Sequence, residues 1–162
     1  MQVLNVLVDL CYTYKDDLVV VLAGYTHAMS DLFEGNAGLA SRFPHKFHFA
    51  DYDASELEQI ARRMLDAAFF RLRDADAAAA LERLVQPITR ERPCGNARSV
   101  ENRIATAILC QSQRLRKDST LSNAAGTDQT ALFELKAEDL DSAAEIAGRA
   151  SAVLERKEEA VK

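Results

Sequence analysis

The sequence contains no tryptophan and only three cysteines and three prolines in 162 residues. No stretch approaches the roughly 20 consecutive apolar residues that a membrane-spanning helix requires, so we expect no membrane partner. The apolar opening is interrupted by Asn5 and Asp9 and has no basic flank, so it does not predict a signal peptide. Cysteines that are odd in number and widely spaced (Cys11, Cys94 and Cys110) then predict reduced thiols and a reducing intracellular compartment, either cytoplasm or an organelle matrix.

The sequence also has fewer basic than acidic residues. Twenty lysines and arginines face 25 aspartates and glutamates, which gives a net charge of −5. This balance disfavours nonspecific binding to polyanions, and we expect no nucleic-acid partner. With 48% apolar residues, the chain can bury one core or two small ones.

The first fifty residues alternate between helical and strand patterns. Apolar side chains at three- and four-residue spacing predict a helix over Met1–Tyr14, and a second, short helix is expected at about Thr26–Glu34. The apolar run Leu18–Ala23 predicts a strand buried on both faces of a parallel sheet, and Lys46–Phe49 predicts a shorter strand. Between them, the stretch 35–38 (Gly-Asn-Ala-Gly) predicts a loop with positive φ angles. Together these elements indicate the edge of an open α/β sheet.

The remainder of the sequence is predicted to be helical. Ser55 and Glu58 have the spacing of a capping box at the start of the first helix of this part. Further helices are expected at about residues 76–89, 97–116 and 136–148, with a polar loop at 117–130. A composition shift at 51–53 predicts three segments, namely an α/β part (1–50), a helical part (51–148) and a charged tail (149–162).

Several side chains could contact a ligand at the end of the first predicted strand. Ligands of open α/β sheets bind beyond the carboxyl ends of the strands, which directs attention to Tyr25, Thr26 and His27. Arg42 lies between a glycine-containing loop and Pro44, and its guanidinium could present a fork of donors to phosphate oxygens. Taken alone, Arg42 is better explained as part of a surface salt bridge.

A second arginine stands in the segment 94–100 (Cys-Gly-Asn-Ala-Arg-Ser-Val). Gly95-Asn96 predicts a turn and a helix start, which puts Arg98 in the first turn of the following helix. A cation there opposes the helix dipole, so the side chain gains by bending towards a bound anion such as a nucleotide phosphate. When Arg98 is considered by itself, an ordinary exposed arginine is the favoured interpretation.

The sequence does not predict a metal site. His45 and His48 could share a metal ion, but no third ligand has suitable spacing, and structural histidines explain the pair better.

Three segments together resemble a known family. The strand with Gly24-Tyr25, the pattern Asn-x-Gly-Leu-x-Ser-Arg-Phe at 36–43 and Gly-Asn-Ala-Arg-Ser-Val at 95–100 are similar to the AAA+ ATPases of the CbbX/CfxQ type, which include the red-type Rubisco activase. The resemblance implies the C-terminal part of an AAA+ module, with part of the nucleotide-binding α/β subdomain (1–50) followed by the helical lid (51–148).

The resemblance also implies roles for single residues. Arg42 matches the arginine finger, which reaches the nucleotide of a neighbouring subunit. Arg98 matches sensor 2, which contacts the nucleotide of its own subunit, and Tyr25 stands at the sensor 1 position, where Asn or Thr is usual. The family's Asn-Pro-Gly is Asn36-Ala37-Gly38 here, and we expect the missing proline to loosen this loop without removing Arg42.

The sequence has no Gly-x-x-x-x-Gly-Lys-Ser/Thr segment that could hold the phosphates, and no carboxylate pair follows the predicted strand. We therefore interpret the chain as a truncated module or partial gene product that is inactive alone. ATP with Mg²⁺ would be used by the complete protein, which is expected to form a ring, hexameric in this family, and to remodel a protein client. Rubisco is that client if the protein is a true CbbX, whereas a broader CfxQ-like ATPase would have another. The alternative hypotheses are a noncatalytic helical interaction module and an inactive fragment.

Overall fold

The computed structural model describes residues 2–91, 94–117 and 129–159. In these ranges the chain is mostly helical and divides into two compact units, residues 1–50 (unit 1) and residues 51–162 (unit 2). Most of the predicted polar loop, residues 118–128, lies outside the described residues, and Gln129–Phe133 forms a short 3-10 helix.

Unit 1 contains three helices, α1 (Gln2–Thr13), α2 (Thr26–Glu34) and α3 (Ala37–Arg42). Both α1 and α2 pack against α3, whose Leu39 is fully buried. The bounds predicted for the first two helices are confirmed almost to the residue. The predicted positive-φ loop is wrong, because Gly35 has a φ of −70° and the two residues after Asn36 already belong to α3.

The two strands predicted in unit 1 do not form. Residues 18–23 and 46–49 have no regular secondary structure, and the side chains of Val19 and Val21 are 89% and 82% exposed. A strand is stable only when its backbone groups pair with a neighbouring strand, and no such neighbour is present among the described residues of unit 1. The β-branched composition of residues 18–23 therefore favours a strand, but it does not supply the second strand with which such a strand must pair.

Unit 2 is built from four helices around one core. They are α4 (Ala54–Ala67), α5 (Ala75–Val85), α6 (Asn96–Lys117) and α7 (Ala137–Glu159). Helices α5 and α6 pack on α7, and α4 packs on α5 and α6. The fully buried leucines and isoleucine of this core are Leu57, Leu81, Leu84, Ile88, Leu135 and Leu140.

Three boundaries in unit 2 differ from the predictions. The capping box at the start of α4 is formed by Asp53 and Glu56, two residues earlier than predicted. Helix α5 gives way to a 3-10 helix at Gln86–Arg90, because Pro87 lacks the N–H group that an α-helix would need. The last helix, α7, continues to Glu159 through most of the segment predicted as a tail.

A short parallel sheet joins distant parts of unit 2. Strand β1 (Arg71–Leu72) pairs with β2 (Glu134–Leu135), with Arg71 opposite Glu134 and Leu72 opposite Leu135. The chain reaches β1 through a turn at Phe69, two residues after the end of α4, where φ is +63° and the ring is exposed. The Phe70 N–H donates to the Leu65 carbonyl oxygen and the Phe69 N–H to that of Asp66, so the turn satisfies the last carbonyls of α4.

A buried ion pair fixes the end of α6 against the start of α7. Asp139 is only 2% exposed, and its two carboxylate oxygens accept from Arg114 Nε and Nη2 at 2.8 and 2.9 Å. The same carboxylate accepts from the Lys136 backbone N–H at 2.9 Å, which satisfies an unpaired donor at the helix start. None of the described helices is long and apolar enough to cross a lipid bilayer.

Candidate functional site

Arg42 is the last residue of α3, and its side chain is exposed. Its Nη1 donates to the Gly38 carbonyl oxygen at 3.0 Å, one turn earlier on the same helix. A guanidinium at a helix C-terminus interacts favourably with the helix dipole, so this contact holds the side chain on its own helix. The contact is exposed and solvated, so an anion in reach could replace it at small cost.

The base of α3 is well anchored beneath Arg42. Asn36 caps the helix by accepting from the Leu39 N–H at 3.2 Å, and Leu39 is buried. The ring of Phe43, the next residue after Arg42, lies edge-on to Phe33 of α2 with centroids 6.4 Å apart. The backbone at Arg42 is therefore held on both sides while the guanidinium faces outwards.

Tyr25 stands immediately before α2 in unit 1. Its backbone is extended, its carbonyl oxygen accepts the Met29 N–H at 2.9 Å, and its side chain is 88% exposed. The neighbouring His27 forms an exposed pair with Asp31 one turn later, with Nδ1 and Oδ2 3.0 Å apart. The Tyr25 hydroxyl thus stands in solvent, available to a ligand but not oriented by the chain.

Arg98 lies in the first turn of α6 in unit 2, as predicted. Its backbone N–H donates to the Gly95 carbonyl oxygen at 3.0 Å, and its side chain is exposed. Within the described residues the guanidinium has no ion-pair or hydrogen-bond partner. An unpaired cation at a helix N-terminus is electrostatically unfavourable until an anion comes close.

The turn before Arg98 is held by a polar network that the sequence did not predict. Ser99 Oγ donates to Glu91 Oε2 at 3.1 Å, and the buried Arg103 donates both to Glu91 and to the Leu84 carbonyl oxygen. A Cβ atom on Gly95 would come within 2.1 Å of Ser99 Oγ. A larger residue at this position would have to displace the Ser99 hydroxyl from Glu91 and so disturb the turn that precedes Arg98.

Asn96 opens α6 with a φ of +47°, a conformation that few residues other than glycine adopt. Its side chain does not cap α6. Instead its Oδ1 accepts the Tyr52 N–H at 3.0 Å and its Nδ2 donates to Asp51 Oδ1 at 2.7 Å. Gly95-Asn96 was predicted to form a turn and a helix start. Nothing in the sequence indicated that the Asn96 side chain would bond to Tyr52 and Asp51.

The predicted site residues therefore fall on different units, with Arg42 and Tyr25 in unit 1 and Arg98 in unit 2. Both arginines are exposed at helix ends and could donate to phosphate oxygens. Across the described part of the chain, no group of three or more His, Cys, Asp or Glu side chains is placed to hold a metal ion.

A comparison with protein-family models matches residues 53–150 to the family described as AAA lid domain. This match covers more than half of the chain, and it falls on the four-helix unit that carries Arg98. The chain therefore belongs to the AAA lid domain family, within the AAA+ ATPases.

Several similar proteins carry the names CbxX, CbbX or CfxQ. The chain is 38% identical over 141 residues to the chromosomal protein CbxX of Cupriavidus necator, an alignment that covers 86% of this chain and 42% of the relative. It is 35% identical over 114 residues to protein CbbX of Cereibacter sphaeroides, covering 70% of this chain and 37% of the relative. It is also 35% identical over 124 residues to protein CfxQ of Xanthobacter flavus, covering 76% and 39%.

These matches confirm the resemblance to the CbbX/CfxQ type. They also agree with the predicted fold class, since the chain is mostly helical, with a short parallel pair of strands, and carries an AAA+ lid. The chain spans about two fifths of the relatives' length, 42% in the case of CbxX.

Proposed function

We propose that this chain supplies two phosphate-contacting arginines to an AAA+ ATPase that couples ATP hydrolysis to remodelling of a protein client. Arg42 acts as the arginine finger, donated to the nucleotide of an adjacent subunit. Arg98 acts as sensor 2 on the lid of its own subunit. Two observations together support the proposal. The chain matches the AAA lid domain family, and Arg42 and Arg98 are both exposed at helix ends whose backbone is well ordered.

The chemistry of phosphoryl transfer explains why arginines suit these places. Negative charge on the transferred group is spread over its oxygens, and a planar guanidinium can donate to two of them at once. In this proposal Arg42 breaks its hydrogen bond with the Gly38 carbonyl oxygen and turns towards the phosphates of the neighbouring subunit. It thereby exchanges a neutral acceptor for a charged one, which forms a stronger hydrogen bond. Arg98 has no contact to give up among the described residues.

The residues present fit nucleotide binding only in part. The chain offers two guanidiniums and the exposed hydroxyl of Tyr25, but no phosphate-binding loop. ATP with Mg²⁺ would supply the transferable phosphoryl group, and its phosphate and metal ligands belong to the remainder of the complete protein. A finger that acts in trans requires a neighbour, so we propose a closed ring, hexameric by analogy with the family. Rubisco is the proposed client if the complete protein acts as CbbX does, and another protein if it is a more general CfxQ-like ATPase.

The test uses the complete protein that contains this chain. Arg42→Ala should lower ATP turnover at least about tenfold while nucleotide affinity stays within about twofold, because the finger acts on the transition state. Arg42→Lys should rescue little, since a point charge does not reproduce the fork. Arg62→Ala, which removes an exposed arginine paired with Glu58 on α4, is the matched control and should leave turnover unchanged. Unchanged turnover in Arg42→Ala would remove the finger assignment.

Arg98→Ala should instead weaken nucleotide affinity or its coupling to hydrolysis by about tenfold to a hundredfold, the range of one charge-assisted hydrogen bond. Normal values for both would remove the sensor 2 assignment.

A second candidate function is a noncatalytic helical interaction module. It is favoured by the continuous core of unit 2, whose buried residues all lie between Leu57 and Ala143. The two candidates differ in one simple respect. The purified chain should not hydrolyse ATP in either case, but only the ATPase proposal predicts that Arg42→Ala inactivates the complete protein.

A further inference from the structure

The side chain of Asn96 joins two distant stretches of unit 2. It lies two residues before Arg98. Its side-chain amide oxygen accepts from Tyr52, 44 positions away in sequence, and its amide nitrogen donates to Asp51, 45 positions away. Those two residues are the first of unit 2, immediately after the boundary with unit 1. The residue that opens the Arg98 helix is therefore bonded to the point where the chain enters the lid.

This arrangement is not what helix capping requires. An asparagine at a helix start usually accepts from the N–H groups of its own first turn, and its backbone is then extended. Here the backbone is left-handed at +47°, which is costly for a residue other than glycine, and the side chain is used elsewhere. Such a conformation persists only where the surroundings fix it, and the contacts that do so here are the two hydrogen bonds to the lid entrance.

The entrance is itself rigid. Asp53 Oδ1 accepts the Glu56 N–H at 2.8 Å, and Glu56 Oε2 accepts the Asp53 N–H at 3.0 Å, so two successive backbone N–H groups, those of Tyr52 and Asp53, are both held by side chains. Helix α4, which follows, packs against α6. A movement of the start of α6 would therefore also move Asp51 and Tyr52, because the hydrogen-bonded turn between them is not free to absorb it.

We propose that Asn96 is a positioning residue that couples the engagement of an anion by Arg98 to the segment through which the chain enters the lid. This inference rests on the proposed function, because it assumes that Arg98 contacts a nucleotide phosphate. It goes beyond that function by assigning the transmission step to a single carboxamide with two named partners. Asn96 touches neither nucleotide nor client in this account.

The decisive variant is Asn96→Gly. Glycine adopts the positive φ without strain, so the fold should be kept while both hydrogen bonds are lost. In the complete protein, ATP turnover should fall about threefold to tenfold with nucleotide affinity within about twofold, as expected for the loss of one or two hydrogen bonds that act after binding. In the 162-residue chain, amide exchange at Tyr52 should accelerate by a similar factor.

A charge-conserving exchange gives the matched control. Asn96→Asp alone sets two carboxylates, those of positions 96 and 51, against each other and should lower turnover further. Adding Asp51→Asn supplies a new amide donor to the new carboxylate, which still accepts the Tyr52 N–H. The double variant should recover turnover to within about twofold of the natural protein, since the bond with Tyr52 is kept and the bond between positions 51 and 96 is restored with donor and acceptor exchanged.

The outcomes separate the inference from the function on which it rests. Unchanged turnover in Asn96→Gly despite faster Tyr52 exchange would overturn the inference, and so would unchanged Tyr52 exchange. A loss of nucleotide affinity equal to that of Arg98→Ala would also overturn it, because Asn96 would then serve only to shape the helix start. If Arg98→Ala itself has no effect, it is the sensor 2 assignment that fails.

Discussion

Among the glycines that the structure describes, Gly95 has the least space for an added methyl group. An added methyl group would stand 2.1 Å from Ser99 Oγ, and Ser99 is held by Glu91. Gly95→Ala should therefore destabilise the protein by about 1–3 kcal/mol, the usual cost of overpacking. Gly148→Ala is the matched control, because a Cβ there meets nothing within 4 Å and the residue lies inside α7.

The same substitution should thus have opposite signs at the two glycines. Gly148→Ala should stabilise the protein by about 0.5–1 kcal/mol, since alanine loses less backbone entropy in a helix. Urea unfolding of the two variants measures both values. Equal effects at the two positions would contradict the tight geometry inferred for the turn before Arg98.

Cys110 on α6 is a residue whose titration the fold alters. Burial, and secondarily the negative charge of Asp139, raise the pKa of its thiol above the usual 9.0. Because the folded-state pKa is the higher one, the contribution to stability is present below about pH 9 and is lost as the pH rises through the folded pKa. The thermal midpoint of Cys110→Ser should therefore fall less between about pH 8 and pH 10 than that of the natural protein. Cys11→Ser controls for removal of a thiol, and identical pH profiles for the natural protein and Cys110→Ser would contradict the assignment.

Among the helices, the junction of α6 and α7 depends on one buried pair. The side chain of Asp139 is 2% exposed and bonded to Arg114, whereas that of Asp141, bonded to Arg83 of α5, is 47% exposed. Asp139→Asn removes a buried carboxylate charge that accepts from Arg114 and from the Lys136 N–H, and should cost about 1–3 kcal/mol. Asp141→Asn, the same change two residues further along α7, should cost less than about 1 kcal/mol because solvent screens the ion pair between Asp141 and Arg83. Similar losses on chemical unfolding would show that the buried pair does not hold the two helices together.

Helices were predicted from the sequence better than strands. The bounds of α2 were predicted correctly, and those of α6 within about one residue, because apolar periodicity, the glycines on either side of α2 and the glycine before α6 are local signals. Residues 18–23 satisfied the local preference for a strand, but pairing depends on a partner that local sequence does not specify. The strands that do form, β1 and β2, are two residues each and too short to leave a pattern.

The start of α4 shows a different limit. Asp53/Glu56 and Ser55/Glu58 both have capping-box spacing, and the sequence alone does not decide between them. The structure uses the first pair, and Glu58 bonds Arg62 instead. The buried positions of Arg103 and Asp139 had no signal at all, because a charged side chain is expected in solvent unless its partner is known.

For the whole molecule, the arginines could be located from motifs, but their surroundings could not. The order of three short motifs indicated the AAA+ class, and the family match confirmed it. The contacts of Arg42 with its own helix and of Asn96 with the lid entrance required coordinates. The central claim, that one arginine serves the adjacent subunit and the other its own, concerns the assembled ring.

Mixing the two impaired variants of the complete protein tests that claim most directly. In a ring of Arg42→Ala and Arg98→Ala subunits, a nucleotide site is intact where an Arg42→Ala subunit binds the nucleotide and an Arg98→Ala subunit lends its finger. Random mixing at equal amounts should therefore restore about a quarter of the natural turnover at an ATP concentration near KM, since both conditions are met at about one site in four. Turnover no higher than the mean of the two separate variants would contradict the account, because every site would then lack one of its two arginines.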